Sequence, residues 1–385
     1  MESSNDRVTT TSRLIAPRPE VLASMTDQHV LAVLSDARAP MSRAEVAEAS
    51  GLSKPAVAAA VTRLVDRGVL RDVGIREGRR GGVATLFELN PGFGRSLAVV
   101  IDNDFITVQA MDLHGTVQST LEVRAAPHHK LDDVAATTNR LLAESAAAYS
   151  VPLLAAAVSI ADPVDADTGD PIVLSKSVFP APNFRPRSEL QLHEAERLVI
   201  DNDVNWATIG EHRTGALKDC DDFIYVYLGD GLGAGLLFDG RLLRGRRGLS
   251  GEIGYLRPDP SEDVDITEKL AGLGLGKAGS HVFDLPTAVA LLGRRPLPPA
   301  ARAIASTLGL AVANMAISLN PSAIAFGGPL SEFPEFTAAL AERVAMLTTD
   351  PPRFVTSQVT PLAGAALEAH RLALEAAGVP QWIAS

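Results

Sequence analysis

Between Gln28 and Ala37 (QHVLAVLSDA) apolar residues recur at helical spacing until Pro40 interrupts them, which predicts a first helix. Ser42 to Ser50 (SRAEVAEAS) opens on a serine able to cap a helix, carries Glu45 three residues on as the partner in a capping box, and stops at Gly51. A third helix is predicted to open with Ser53 as N-cap, to hold Pro55 in its first turn and to run through AVAAAVTRLVDRG to about Gly68. The pattern then changes to short apolar runs. Strands are predicted around Leu70 to Ile75 and Ala84 to Leu89, joined by a loop centred on Arg79, Arg80, Gly81 and Gly82. Three short helices followed by a two-stranded wing make a winged helix-turn-helix.

Past Asn90 two stretches resemble each other. Leu97 to Val117 (LAVVIDNDFITVQAMDLHGTV) and Ile224 to Leu243 (IYVYLGDGLGAGLLFDGRLL) each read as an apolar strand, a polar or glycine-rich turn, a second strand and an Asp-Gly type turn. With helical stretches near Val134 to Tyr149 and Ala300 to Leu319, this duplication predicts two related α/β lobes and a ligand cleft between them.

Composition adds a division of charge. Residues 1 to 90 hold 12 Lys and Arg against 11 Asp and Glu, a net of +1, whereas the rest of the chain holds 23 against 35, a net of −12, so the excess acidity lies beyond Asn90. Two units with different partners are expected, and the acidity argues against a protein that coats nucleic acid over its whole surface. Lys54 and Arg63 on the third helix, with Arg76, Arg79 and Arg80 at the wing and Ser53 at the helix start, place donors and cations where DNA phosphates would lie. A helical subdomain with a solvated arginine loop would carry some of these features; the capping box, turn, Ser-x-Pro helix start and Gly-flanked wing occurring together favour DNA binding. One cysteine, Cys220, excludes an internal disulfide framework and a multi-cysteine zinc cluster. No apolar run long enough to span a bilayer is expected, and the polar start MESSNDRVTTTSR lacks a secretory signal, so a cytoplasmic protein is expected.

The second unit resembles the ROK family of repressors and kinases. The matching pieces are the strand pair Leu97 to Val117, DPVDADTG at Asp162 to Gly169, IDNDVNWATIGE at Ile200 to Glu211, LGDGLGAGLLFDGRLLRG at Leu228 to Gly245, SGEIGY at Ser250 to Tyr255 and LGLAVANMAISLNPSAIAFGG at Leu308 to Gly328. The resemblance implies an actin-like, hexokinase-like (ribonuclease H-like) two-lobed α/β module, here over 95–385, behind a winged helix-turn-helix over 23–90 and a flexible segment over 1–22. It also implies a sugar bound between the lobes, with Asp203 at the family's catalytic-base position and Asn202 and Glu252 at positions that hold sugar hydroxyls. Tyr255, Glu268 and, in the PAPNF segment, Asn183 are further pocket candidates.

Several departures from the family's kinases bear on chemistry. Their first turn is Asp-x-Gly-Gly-Thr, open to phosphates; here it is Asp102, Asn103, Asp104 and Phe105, without a glycine. Their second is Gly-Thr-Gly; here Asp230 replaces the threonine and, ionised, can only accept hydrogen bonds. Both changes disfavour a phosphate, and phosphoryl transfer needs a phosphate cradle. Gly327 and Gly328, matching a pair near adenosine in the kinases, are retained. The family's zinc set is absent, since Tyr255 stands at the histidine position and PDPSEDVDITEKL holds no cysteine. The acidic run Asp259, Glu262, Asp263 and Asp265 reads as a solvated loop, and the histidines show no ligand spacing. Asp162 replaces a glycine that approaches the sugar, so the sugar is not inherited from relatives.

The expected protein is therefore a sugar-responsive, DNA-binding regulator, a repressor of carbohydrate-related genes, without kinase activity, cofactor or metal. Its expected partners are operator DNA, a sugar effector and a second copy or three further copies of itself, with no membrane. A sugar kinase with an appended DNA-binding domain and a regulator that has lost sugar sensing are the alternatives.

Overall fold

The computed structural model describes residues 19–37, 39–77, 83–125, 133–174, 183–259, 263–277 and 281–380, together with residues 176, 179, 181, 261 and 279. These fall into two compact units, one of residues up to 90 joined by residues from 377 onward, the other of residues 91–376.

In the first unit α1 (Pro19–Asp36), β1 (Met41–Ser42), α2 (Arg43–Ser50) and α3 (Lys54–Asp66) precede β2 (Leu70–Glu77) and β3 (Val83–Leu89). The first helix starts well before Gln28, so residues 19–22, expected in a flexible segment, are helical. The capping box is formed as the sequence implies. Ser42 N donates to Glu45 Oε2 at 2.8 Å, Glu45 N donates to Ser42 Oγ at 3.4 Å, and Gly51 ends the helix at φ 69°. Ser53 caps α3 by accepting from Ala56 N. Val30, Leu31, Leu34, Val46, Val57, Val61, Leu64, Leu70, Phe87 and Leu89 make the core, which fixes the three helices against a sheet of order β1-β3-β2. The wing strands pair antiparallel from Leu70 opposite Leu89 to Glu77 opposite Val83. Arg79 and Arg80 lie outside the described residues.

The second unit contains the duplication. Its first sheet takes β4 (Arg95–Ile101), β5 (Phe105–Met111), β6 (Val117–Arg124), β7 (Leu153–Ile160) and β8 (Arg197–Asn202) in the order β6-β5-β4-β7-β8. Its second takes β9 (Phe223–Leu228), β10 (Leu232–Phe238), β11 (Arg241–Leu242), β12 (Ala323–Gly327) and β13 (Arg353–Thr356) in the order β11-β10-β9-β12-β13. Counted within each lobe both are 3-2-1-4-5, an antiparallel meander followed by two parallel strands. The Asp102–Asp104 and Gly229–Gly231 turns are therefore the same turn in the two lobes. The helices of this unit are α4 (Val134–Ala148), the short α5 (Pro186–Glu189), α6 (Asp203–Thr214), α7 (Ile266–Leu270), α8 (Leu285–Leu292), α9 (Pro299–Leu319), α10 (Pro334–Leu347) and α11 (Pro361–Ala376). α6 packs on β10, whereas α11 packs on α6, β4 and β7.

α9 corrects one expectation: it is long and apolar enough to cross a membrane by length and composition. Half of it is buried, and Ala301, Ile304, Leu308 and Val312 sit in the core of the second lobe beside Phe336 and Leu340 of α10. Its apolar character is that of a core helix.

The glycines of GDGLGAG are explained by this packing. A Cβ at Gly235 would run into Thr208 Oγ1 of α6, and one at Gly233 would lie 2.9 Å from Val204 Cγ2. Those two residues let α6 lie flat on β10 and so fix the position of its first turn. Gly364 does the same for α11, where a Cβ would meet the Trp206 carbonyl. Gly235→Ala is accordingly expected to lower unfolding free energy by about 1–3 kcal/mol, with partial recovery in the Gly235→Ala/Thr208→Ala double variant, both read from urea denaturation midpoints.

Candidate functional site

Asn202 ends β8 and caps α6, so strand and helix together place Asn202 and Asp203 in the wall of the cleft. Asn202 Oδ1 accepts from Val204 N at 2.9 Å and Asn205 N at 3.4 Å, while its Nδ2 donates to the Asp162 carbonyl at 3.1 Å. Asp203 Oδ1 accepts from Val204 N at 2.8 Å. Behind them buried Asp201 accepts from Asn205 Nδ2 and from Arg244 Nε, both at 2.7 Å, which anchors the turn to the second lobe's β10–β11 region. Asp201, Asn205 and Arg244 thus position the site; they follow no spacing rule that sequence reading could use.

Two adjoining chambers share Asp102, Asn103, Asp203, Tyr227 and Asp230. The first, of about 140 Å³, is lined further by Asp162, Lys176, Asn202, Glu252, Tyr255 and His281. By the measure that one water needs about 10–15 Å³, it holds on the order of ten waters. The second, of about 760 Å³, is more apolar, with Phe105, Tyr225, Phe283, Leu285 and Pro329 among its walls and with Asp104, Asp284 and Glu332 at its polar positions.

The candidates distribute unevenly over this geometry. Asn202, Asp203, Glu252 and Tyr255 line the first chamber together. Glu268 stands behind it, reaching the site through Lys176, whose Nζ lies 2.8 Å from Asp265 Oδ2 and 3.0 Å from Glu268 Oε1. Asn183 is exposed and absent from the described lining of either chamber. Asp265, expected in a solvated loop, is 1% exposed: with Glu268 it forms the capping box of α7. Asp259 and Asp263 of the same run are solvent-facing or nearly so, and Glu262 lies outside the described residues. His281, for which no ligand spacing was visible, comes 2.9 Å from Asp265 Oδ2 and 3.2 Å from Glu268 Oε1, close without meeting the angle of a hydrogen bond, and its ring lies 5.8 Å from that of Tyr255. Asp265, Glu268 and His281 form a group with the spacing of metal ligands, and the Lys176 ammonium already sits on its two carboxylates. The family's zinc set does not fit here: Tyr255 holds the histidine position, and Cys220 lies just before β9.

The electrostatics are those of crowded carboxylates. Burial pushes the Asp102 carboxyl up to about 7, with Asp230 and Asp104 adding to the shift. Glu252 also rises to about 7, through burial first and then Asp162. Asp203 is held well above the usual carboxylate range by burial, followed by Asp102, Asp230 and Glu252. Among the described lining residues of both chambers Lys176 is the only Lys or Arg. At the two turns side chains fill what glycine leaves open. Asn103 Nδ2 donates to Asp230 Oδ2 at 3.0 Å across the cleft, the Tyr227 hydroxyl lies against Gly229, and the Tyr225 hydroxyl lies against Gly327. Gly328 is likewise covered by the Tyr227 ring.

In the first unit the six DNA candidates also separate. Ser53 and Lys54 are exposed at the start of α3, on a face continued by Pro55, Ala59 and Thr62. Arg63 turns to α1, its Nη2 2.6 Å from Asp27 Oδ1 and its Nε 3.2 Å from the same oxygen, so its fork is used inside the domain. Arg76 pairs with Glu45, whose carboxyl is held down at about 2 by the Ser42 backbone donor first and then by Arg76.

Two equivalent lobes with a polar cleft, and a winged helix-turn-helix as a separate unit, define a sugar-kinase-like binding domain joined to a DNA-binding domain. Residues 97–266 match the ROK family and residues 26–71 match a winged helix-turn-helix DNA-binding domain. The chain carries a ROK family domain with an N-terminal winged helix-turn-helix. It is 27% identical over 231 residues to a xylose repressor of Bacillus subtilis, a match that covers 57% of each chain. Its fold is similar to that of a ROK family transcriptional regulator homologous to the Escherichia coli MLC protein, at TM-score 0.63 and 18% identity over 92% of this chain and 98% of that one. It is also similar to a ROK hexokinase from Thermus thermophilus, at TM-score 0.57 and 19% identity over 72% of this chain and 98% of that one.

The raised carboxyls have a consequence for stability. An acid with a higher pKa in the folded chain binds its proton more tightly there, so stability is lost as pH climbs from the unfolded to the folded value. For Asp102 that window runs from 3.8 to about 7. Asp102→Asn is expected to be more stable than the parent, by a margin that opens across this window and is constant above it; urea midpoints at pH 4, 5.5, 7 and 8 measure it.

Proposed function

We propose that the protein is a transcriptional repressor that binds operator DNA through its winged helix and answers to a sugar held between its lobes, without transferring phosphate. One observation carries this reading. The hydroxyl-binding positions Asn202, Asp203 and Glu252 meet in one chamber, while Asp104, Asp230, Tyr225 and Tyr227 occupy the neighbouring turns where a phosphate cradle needs open backbone. A carboxylate accepts a sugar hydroxyl whether or not a nucleotide is present. The Bacillus subtilis relative, named a xylose repressor, supports the regulatory half of the reading.

In this mechanism the sugar spans Asn202 and Asp203 on one side and Glu252 on the other and draws the lobes together. The closed state differs from the open one in its affinity for DNA within a homodimer or homotetramer in the cytoplasm. A hundredfold change in operator affinity requires about 2.7 kcal/mol of coupling, a few hydroxyl hydrogen bonds' worth. Ser53 and Lys54 meet the DNA from the start of α3, and Arg79 and Arg80 from the wing. Arg76 joins them on leaving Glu45, and Arg63 holds α3 in place.

The test is a mobility shift with the gene's own upstream region and a panel of neutral and amine-bearing pentoses and hexoses. Lys54→Ala is expected to weaken binding about tenfold or less and to flatten its salt dependence. Asp203→Asn is expected to leave DNA affinity intact and remove the response to the active sugar. An unchanged sugar response in Asp203→Asn, or a salt slope untouched by Lys54→Ala together with Arg79→Ala and Arg80→Ala, contradicts the reading.

A further inference from the structure

We propose that the effector is a disaccharide, one ring seated against Asn202, Asp203 and Glu252 in the first chamber and the other against Phe105 and Tyr227 in the second. The inference rests on the sugar-binding reading above and names the class of ligand. The two chambers adjoin along Asp203 and Tyr227, among other shared residues, so a ligand held at Asp203 reaches both. Size separates their roles. The first, about 140 Å³, matches one pyranose, whose about a dozen non-hydrogen atoms each take roughly the room of a water. The second, about 760 Å³, is several times larger, and a monosaccharide would leave it to solvent. Its wall does not suit solvent alone: Phe105, Leu285, Pro286 and Pro329 line it while remaining part-exposed or exposed. Apolar side chains gathered around a concave space are covered by the apolar faces of a ligand.

A second observation, independent of size, is the way two aromatic rings are fixed in that wall. Phe105 follows Asp104 in the first-lobe turn, and its ring is held by the Arg124 guanidinium, 5.1 Å from the centroid. Tyr227 comes from β9 in the second lobe, with its ring on Gly328 and its hydroxyl against Gly229, where a Cβ at either glycine would collide with it. Sugar rings pack their C–H faces on aromatic side chains and turn their hydroxyls to polar groups around them. Asp104, Asp284, Glu332 and Gln358 supply such groups, exposed along the same wall. A neutral ring there avoids the repulsion that a phosphate meets at Asp104 and Asp230. Because Phe105 belongs to one lobe and Tyr227 to the other, a ring between them draws the lobes together, which is the closure that a repressor's effector has to produce.

The experiment is isothermal titration of the full chain at pH 7 with cellobiose, maltose, gentiobiose, melibiose and xylobiose, beside their constituents D-glucose, D-galactose and D-xylose, and with magnesium ADP. The expected result is that one disaccharide binds at least tenfold tighter than either of its constituents. Phe105→Ala, which removes part of the second wall, and Pro329→Trp, which fills the second chamber, are each expected to abolish that advantage and to leave monosaccharide affinity unchanged. Monosaccharides binding as tightly as every disaccharide, or a disaccharide advantage that survives both variants, overturns the proposal and leaves the sugar reading standing. Magnesium ADP binding that excludes the disaccharide overturns it in favour of a nucleotide in the second chamber. No heat from any of the sugars overturns the sugar reading and this proposal together.

Discussion

Carboxyl groups crowded at the junction of two chambers govern the second domain of this protein. Asp230 stands close enough to Asp102 and Asp203 to disfavour their ionisation, and burial does so more strongly for both. A site in that condition is a poor host for a phosphate, which would bring further negative charge to turns already occupied by Asp104 and Asp230. It is a good host for anything that donates hydrogen bonds or carries positive charge. In the function proposed above, the same three groups account both for the exclusion of phosphate and for the retention of hydrogen-bond donors.

The scaffold explains why those groups are held together in spite of their repulsion. The 3-2-1-4-5 order recurs in both lobes and brings the two equivalent turns to face each other, and α6 carries Asp203 between them. Gly233 and Gly235 let α6 lie against β10, Gly364 lets α11 lie against α6, and Asp201 with Arg244 ties the start of α6 to the second lobe. The position of Asp203 is set by core packing of the whole unit. In the kinase-like arrangement the glycine-rich turns would serve a nucleotide; here the glycines serve packing, and the space above Gly229, Gly327 and Gly328 belongs to Tyr225 and Tyr227.

Much of this was legible in the chain because it is local. The capping box at Ser42 and Glu45, the Ser53 cap and the paired strand-turn-strand units are patterns of a few residues, and the structure reproduces them. The contribution of Asn202, Asp203 and Glu252 to one chamber followed from motif position, and the structure brings all three to its wall. What could not be read depends on distant pairing. Lys176 and His281 reach Asp265 and Glu268 across some ninety and a dozen or more residues respectively. Arg63 looked like a DNA contact until its partner, Asp27, was placed on the helix beside it. Asp265 looked solvated because its neighbours are acidic, and is buried because it caps a helix. α9 has the composition of a membrane span, and it is tertiary packing that accounts for that composition.

The central claim is that carboxylates have displaced phosphate chemistry from a sugar-binding cleft. It is tested most directly by titrating magnesium ATP into the full chain by calorimetry, with and without the active sugar, and assaying the same samples for sugar phosphate. The account predicts no saturable heat in the millimolar range and no product. Micromolar binding of the nucleotide with ATP-dependent formation of a sugar phosphate that vanishes in Asp203→Asn would contradict it.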